Sequence, residues 1–88
     1  MGVTVIDFAA RWQTPVCVGD GPLLTKTIWG PADALRHMKT IGHRSGPIYW
    51  RALHLCQHAV TNGVHPEICR PHFIAACAEN DARRFDEE

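Results

Sequence analysis

Gly46-Pro47-Ile48-Tyr49-Trp50-Arg51-Ala52-Leu53-His54-Leu55-Cys56-Gln57-His58-Ala59-Val60-Thr61-Asn62-Gly63 holds the start, the stripe and the stop of a helix. Pro47 suits the first helical position, where its missing N–H costs nothing and its fixed φ is already helical. Gly46 or Ser45 can cap it. Asn62-Gly63 supplies the stop, because glycine tolerates the left-handed conformation that closes a helix. The rod between these signals has about 15 residues and is roughly 22 Å long. Tyr49, Ala52, Leu53, Cys56, Ala59 and Val60 recur at helical spacing and form one apolar stripe, which Ile48 and Leu55 widen. Arg51, His54, Gln57, His58 and Thr61 lie opposite. Trp50 falls off the stripe beside His54, as a flap over the core edge or as a contact surface.

Upstream, Gly30-Pro31-Ala32-Asp33 opens another helix, with proline near the first position and an acid where it complements the helix dipole. Ala34, Leu35, Met38 and Ile41 give its apolar face, and Gly42 ends it. His43 to Gly46 is a connection of the length usual between packed helices. Before it, Pro15-Val16-Cys17-Val18 reads as a strand, with proline at its start. Gly19-Asp20-Gly21-Pro22 is a turn on its chemistry. Leu23 to Trp29 is the returning strand, in which Leu24, Lys26 and Ile28 alternate with Leu23, Thr25 and Thr27. Residues 1–13 read as an N-terminal arm, and the β-branched Val3-Thr4-Val5-Ile6 can add a third strand.

Downstream, His65-Pro66-Glu67 begins a third helix. Cys69, Phe73, Ala76, Cys77 and Asn80 share one face, flanked by Ile68 and Ile74. Pro71 lies inside this pattern, where it removes a hydrogen bond and crowds the preceding turn. The reading is a kinked helix from about Pro66 to Asp81, followed by a charged tail over residues 81–88. Strands followed by a run of helices define an α+β class: a β-hairpin and three packed helices over residues 14–80. The predicted core is Val16, Val18, Leu24, Ile28, Leu35, Met38, Leu53, Cys56, Val60, Phe73 and Cys77.

A chain of 88 residues makes one domain the default. At this size folding buries roughly 60–65% of the unfolded surface, and the stability to expect is about 5–10 kcal/mol. Hydrophobic residues make up 45% and charged residues 20%, a globular composition rather than a disordered one. Nine basic residues balance nine acidic ones, which argues against nucleic-acid binding through a broad basic face. No apolar run approaches the roughly 20 residues of a membrane span. The N-terminal residues have no basic region before their apolar ones, so a signal peptide is not expected and the cytoplasm is the expected compartment. In that compartment the four cysteines read as small hydrophobes and not as a disulfide framework.

This order of elements resembles the domain of unknown function 982 family, small stand-alone alphaproteobacterial proteins. The matching pieces are Pro15-Val16-Cys17-Val18, Ala34-Leu35, Gly46-Pro47-Ile48-Tyr49 with Ala52-Leu53, and Pro66-Glu67 with Phe73-Ile74-Ala75-Ala76. They are packing and capping residues spread over residues 14 to 80. The resemblance therefore implies a fold and carries no activity or catalytic residues. Two positions depart from it: Pro71 stands where alanine or arginine is expected, and His65 where serine or aspartate precedes Pro66.

Three function classes follow. The first is a protein-interaction or regulatory module that acts by binding. Its candidate partner-binding residues are Trp50 and His54; its partner is another protein or a second copy of the chain, and it needs no cofactor. The second is a zinc-binding module. His54 and His58 are spaced to share a metal on one helical face, and Cys69 and His72 are spaced similarly on the next helix. Against it, Cys69 belongs to an apolar face, and no Cys-x-x-Cys pair is present. The third is a small enzyme dependent on cysteine and histidine, which requires an accessible thiol of lowered pKa. Cys56 and Cys77 read as buried, and Cys17 has no identifiable partner.

Overall fold

The protein is described by a computed structural model over residues 10–19, 25–61 and 63–86, with side chains of the last helix to residue 82. β1 (Val16–Gly19) and β2 (Thr25–Ile28) pair antiparallel, with Val16 opposite Ile28 and Val18 opposite Lys26. Opposed residues share a face, so Val16, Val18 and Ile28 turn toward the helices, while Cys17, Thr25 and Thr27 face out and are exposed. Val3–Ile6 and Leu24 lie outside the described residues.

Helix α1 (Pro31–Met38) follows directly. The Asp33 carboxylate accepts the Trp29 amide and pairs with Arg36. Desolvation pushes its pKa up, but those hydrogen bonds and the nearby guanidinium charges outweigh it and hold the group below its ordinary value. Its contribution to stability is thus present above the ordinary carboxylate range and lost as pH falls below it. Helix α2 (Pro47–Val60) begins after Gly46, whose φ of 90° lies in the left-handed region that favours glycine. It closes where the Gly63 N–H donates to the His58 carbonyl at 2.6 Å, six residues spanned as in a Schellman end.

Helix α3 (Pro66–Asp86) is one helix through Pro71 and runs five residues beyond the expected end at Asp81. Its start explains the departure at His65. The imidazole Nδ1 accepts the Glu67 amide at 3.1 Å, the task a serine or aspartate performs in an N-cap. Pro71 is exposed, so its ring meets no core. Pro71→Ala is expected to raise stability by about 1–3 kcal/mol, because a donor for the Glu67 carbonyl returns. The check is a higher urea midpoint at unchanged slope.

The core lies where α2 packs against α3, with α1 across both and the hairpin along one side. Val18, Ile28, Met38, Cys56, Val60 and Phe73 are buried as predicted; Val16, Leu35, Leu53 and Cys77 are half-buried against them. Tyr49, Ala52, Ala59, Cys69 and Ala76 complete the helical faces. Trp12 is the addition that the sequence reading missed. It was assigned to an arm, yet it is only 4% exposed. Its backbone N–H donates to the Trp29 carbonyl, and its indole N–H donates to the Pro66 carbonyl, both at 2.8 Å. Arg70 Nε donates to the Thr14 carbonyl at 2.9 Å, a further tie between this segment and α3.

Candidate functional site

Two concave regions flank α3. The first is a cleft of about 520 Å³ between β1, the end of α1 and the second half of α3. Cys17, His37, Thr40, Ile41, Cys77 and Asp81 are on its walls. Next to it the α1–α2 connection is pinned to α3. The His43 amide donates to Asn80 Oδ1 at 2.9 Å, and the His43 ring meets Glu79 Oε1 at 2.6 Å. Asn80 is buried, and this contact answers its carbonyl.

Cys17 is the exposed thiol of the cleft. Burial first, and the Asp81 carboxylate second, push the Cys77 thiol up to about 11. A thiol held protonated at neutral pH is the opposite of an activated nucleophile. Cys56 and Cys69 meet inside the core, each fully buried. Their mutual hydrogen bond, with burial, drives the Cys56 thiol far up, and Cys69 Sγ sits 3.1 Å from the Pro66 carbonyl. The cysteine and histidine hydrogen bonds seen among the described residues run to the Pro66 carbonyl, to Glu79 and to the Glu67 amide.

The second region is an open groove on the far side of α3. It follows a second stripe of α2 made of Pro47, Trp50, Arg51, His54 and Leu55, at the spacing i, i+3, i+4, i+7, i+8. Ile68 and His72 of α3 form the other wall. The space is about 600 Å³, and a shallower hollow of about 200 Å³ adjoins it at Pro47, Ile48, Arg51, His72 and Ala75. Trp50 is 48% exposed and Ile68 49%. The Trp50 ring stacks edge-on against Tyr49 at 5.3 Å and tilts over His54 at 6.1 Å. Trp50 and His54, the candidate partner-binding residues, therefore share one surface, and that surface also takes in His72 from α3.

His54, His58, Cys69 and His72 do not converge. His54 and His72 line the groove; His58 does not; Cys69 is turned into the core beside Cys56. No group of three or more His, Cys, Asp or Glu side chains suited to a metal occurs among the described residues. No helix among them is long and apolar enough to cross a membrane.

Hairpin, three helices and two shallow surfaces define a small α+β domain. The sequence pattern of the family described as protein of unknown function (DUF982) matches residues 15–83, and the chain belongs to that family. No curated protein and no solved structure matches it. Trp12 lies before the matched stretch, although it is part of the core.

Proposed function

We propose that this protein is a protein-interaction or regulatory module that acts by binding, with the α2–α3 groove as its docking surface. The observation that carries this reading is the concentration of exposed apolar side chains there. Among the described residues, Ile48, Trp50 and Ile68 are three of the five large hydrophobic residues left exposed, and all three line the groove or its adjoining hollow. Single exposed apolar residues are ordinary, but a contiguous apolar strip with a Trp at its centre has the composition of a contact hot spot. Trp50→Ala is expected to abolish capture of a specific partner from cells of the source organism. Its melting temperature should stay within about 2 °C of the parent, since Trp50 is outside the core. A variant that unfolds, or that captures the same proteins as the parent, removes the reading.

A second reading is self-pairing. Among the described residues the sheet has two strands only, so each strand has an outer edge without a strand partner. Such an edge can pair with a second copy to give a symmetric dimer. Light scattering at micromolar concentration checks this: a strict monomer excludes it.

A further inference from the structure

We propose that the occupant of the α2–α3 groove is an acidic amphipathic helix of a partner protein, an inference that rests on the docking reading above. The groove joins two antiparallel helices. The start of α2 meets the middle of α3 at the hollow, where Pro47 and Ile48 share the lining with His72 and Ala75, and the groove itself takes in the later Leu55 and the earlier Ile68. It is straight and about two helical turns long, because Pro47 to Leu55 rises roughly 12 Å. The backbone of both walls lies inside helices. An extended peptide laid there would leave its own N–H and C=O groups without partners, whereas a helix satisfies them internally and presents a ridge of apolar side chains.

The charge on the walls selects the partner further. Arg51, His54 and His72 border the apolar strip, and no Asp or Glu lines the groove or the hollow. The ion pairs among the described residues, Asp33 with Arg36 and Glu79 with His43, do not line the groove. Arg51 makes no hydrogen bond or ion pair to another described residue, and a guanidinium of that kind suits a carboxylate in the bidentate mode. A second copy docked through this face would bring no carboxylate to Arg51, since none lines the groove or the hollow. An acidic flank on an apolar helix meets each of these features.

The test uses the full chain and two helical peptides of about 16 residues, long enough to hold helix in water. Both carry the same leucine face, one flanked by glutamates and the other by lysines. Binding is read by isothermal titration and by fluorescence anisotropy at low and at high salt. The glutamate peptide is expected to bind about tenfold or more tightly than the lysine peptide, with the gap narrowing in salt. Arg51→Glu, at unchanged melting temperature, is expected to lose the glutamate peptide and gain the lysine one. Equal binding of both peptides, with loss of both in Trp50→Ala, overturns the acidic partner and leaves the docking surface standing. Binding of both that Trp50→Ala does not alter overturns the docking reading as well. Binding of neither overturns the helix as occupant. Uptake by vesicles of equimolar phosphatidylcholine and phosphatidylglycerol, lost in Arg51→Glu, assigns the face to an anionic membrane and overturns the proposal. Dimerisation lost in Arg51→Glu assigns it to a second copy and overturns it equally.

Discussion

Trp12→Ala is expected to remove about 3–5 kcal/mol of stability, the range for truncating a large buried aromatic side chain. A domain of this length has about 5–10 kcal/mol in all, so the variant should sit at the edge of unfolding at 37 °C. The size of the effect follows from what Trp12 joins. Its ring packs against Phe73 of α3, with centroids 5.7 Å apart. Its indole N–H satisfies the Pro66 carbonyl, and its own amide donates to Trp29 at the end of the hairpin. One residue thus ties the hairpin, through its backbone N–H, to the first turn of α3, through its side chain, and Trp12→Ala breaks the second tie. Trp12→Phe separates the contributions. It keeps an aromatic ring and loses the indole donor, so a cost of about 1–2 kcal/mol is expected. Urea unfolding measures both; a cost below about 1 kcal/mol for Trp12→Ala shows that the segment before β1 contributes little.

The helices were legible because their signals are local. Gly46-Pro47 marks the first residue of α2, Gly63 closes it three residues after Val60, and its stripe is the face that is buried. Gly30-Pro31 likewise marks the first residue of α1. Ile41 stays apolar and buried past the last turn of α1, so the apolar face outlasts the helix. The end of α3 was less legible. Asp81 looked like the start of a solvated tail, but alanine and arginine, which follow it, are good helix formers, and a helix already begun extends through them at little cost. Trp12 was not legible, because no period or turn marks the segment; the signal available was a lone large aromatic residue in a short chain, a type that is seldom left wholly in water. The His43 contacts with Glu79 and Asn80 span 36 and 37 residues, a distance that no local pattern reports. A buried asparagine on an otherwise apolar face, as Asn80 is, was the clue.

The same limit applies to the groove. Sequence periodicity placed Trp50 and His54 off the core stripe of α2, and that much is local. It could not show which side of α3 would stand beside them. Cys69 and His72 are three residues apart, yet they face different sides of α3: one is buried in the core and the other lines the groove. A helix turns about 100° per residue, so three residues bring a side chain most of the way around and leave an offset of about 60°. That offset separates a core thiol from a surface imidazole, and it is why the spacing of a metal set did not translate into a cluster.

Phe73→Ala is the second large effect, also about 3–5 kcal/mol. Phe73 has no exposed surface and is the largest fully buried side chain among the described residues. It touches Trp12 on one side and presents to the His37 ring on the other, edge-on at 6.1 Å. It therefore joins α1, α3 and the segment before β1, and its loss leaves a cavity that none of the three can close alone. Because Phe73 and Trp12 are in contact, the two truncations should not add. Once either ring is gone, the other has already lost its partner, so the double variant is expected to fall short of the sum by about 0.5–1.5 kcal/mol. Both single variants must remain folded for that comparison, so Phe73→Leu and Trp12→Leu form the practical cycle, each removing its ring and keeping an apolar side chain. Strict additivity in that cycle would mean that the ring contact contributes nothing beyond burial. The His37 contact has a separate reading in the same series. Phe73→Leu removes the ring edge beside His37 while keeping an apolar side chain, so a shift of the His37 ring resonances in Phe73→Leu, absent in Trp12→Phe, is the expected mark of the α1 contact.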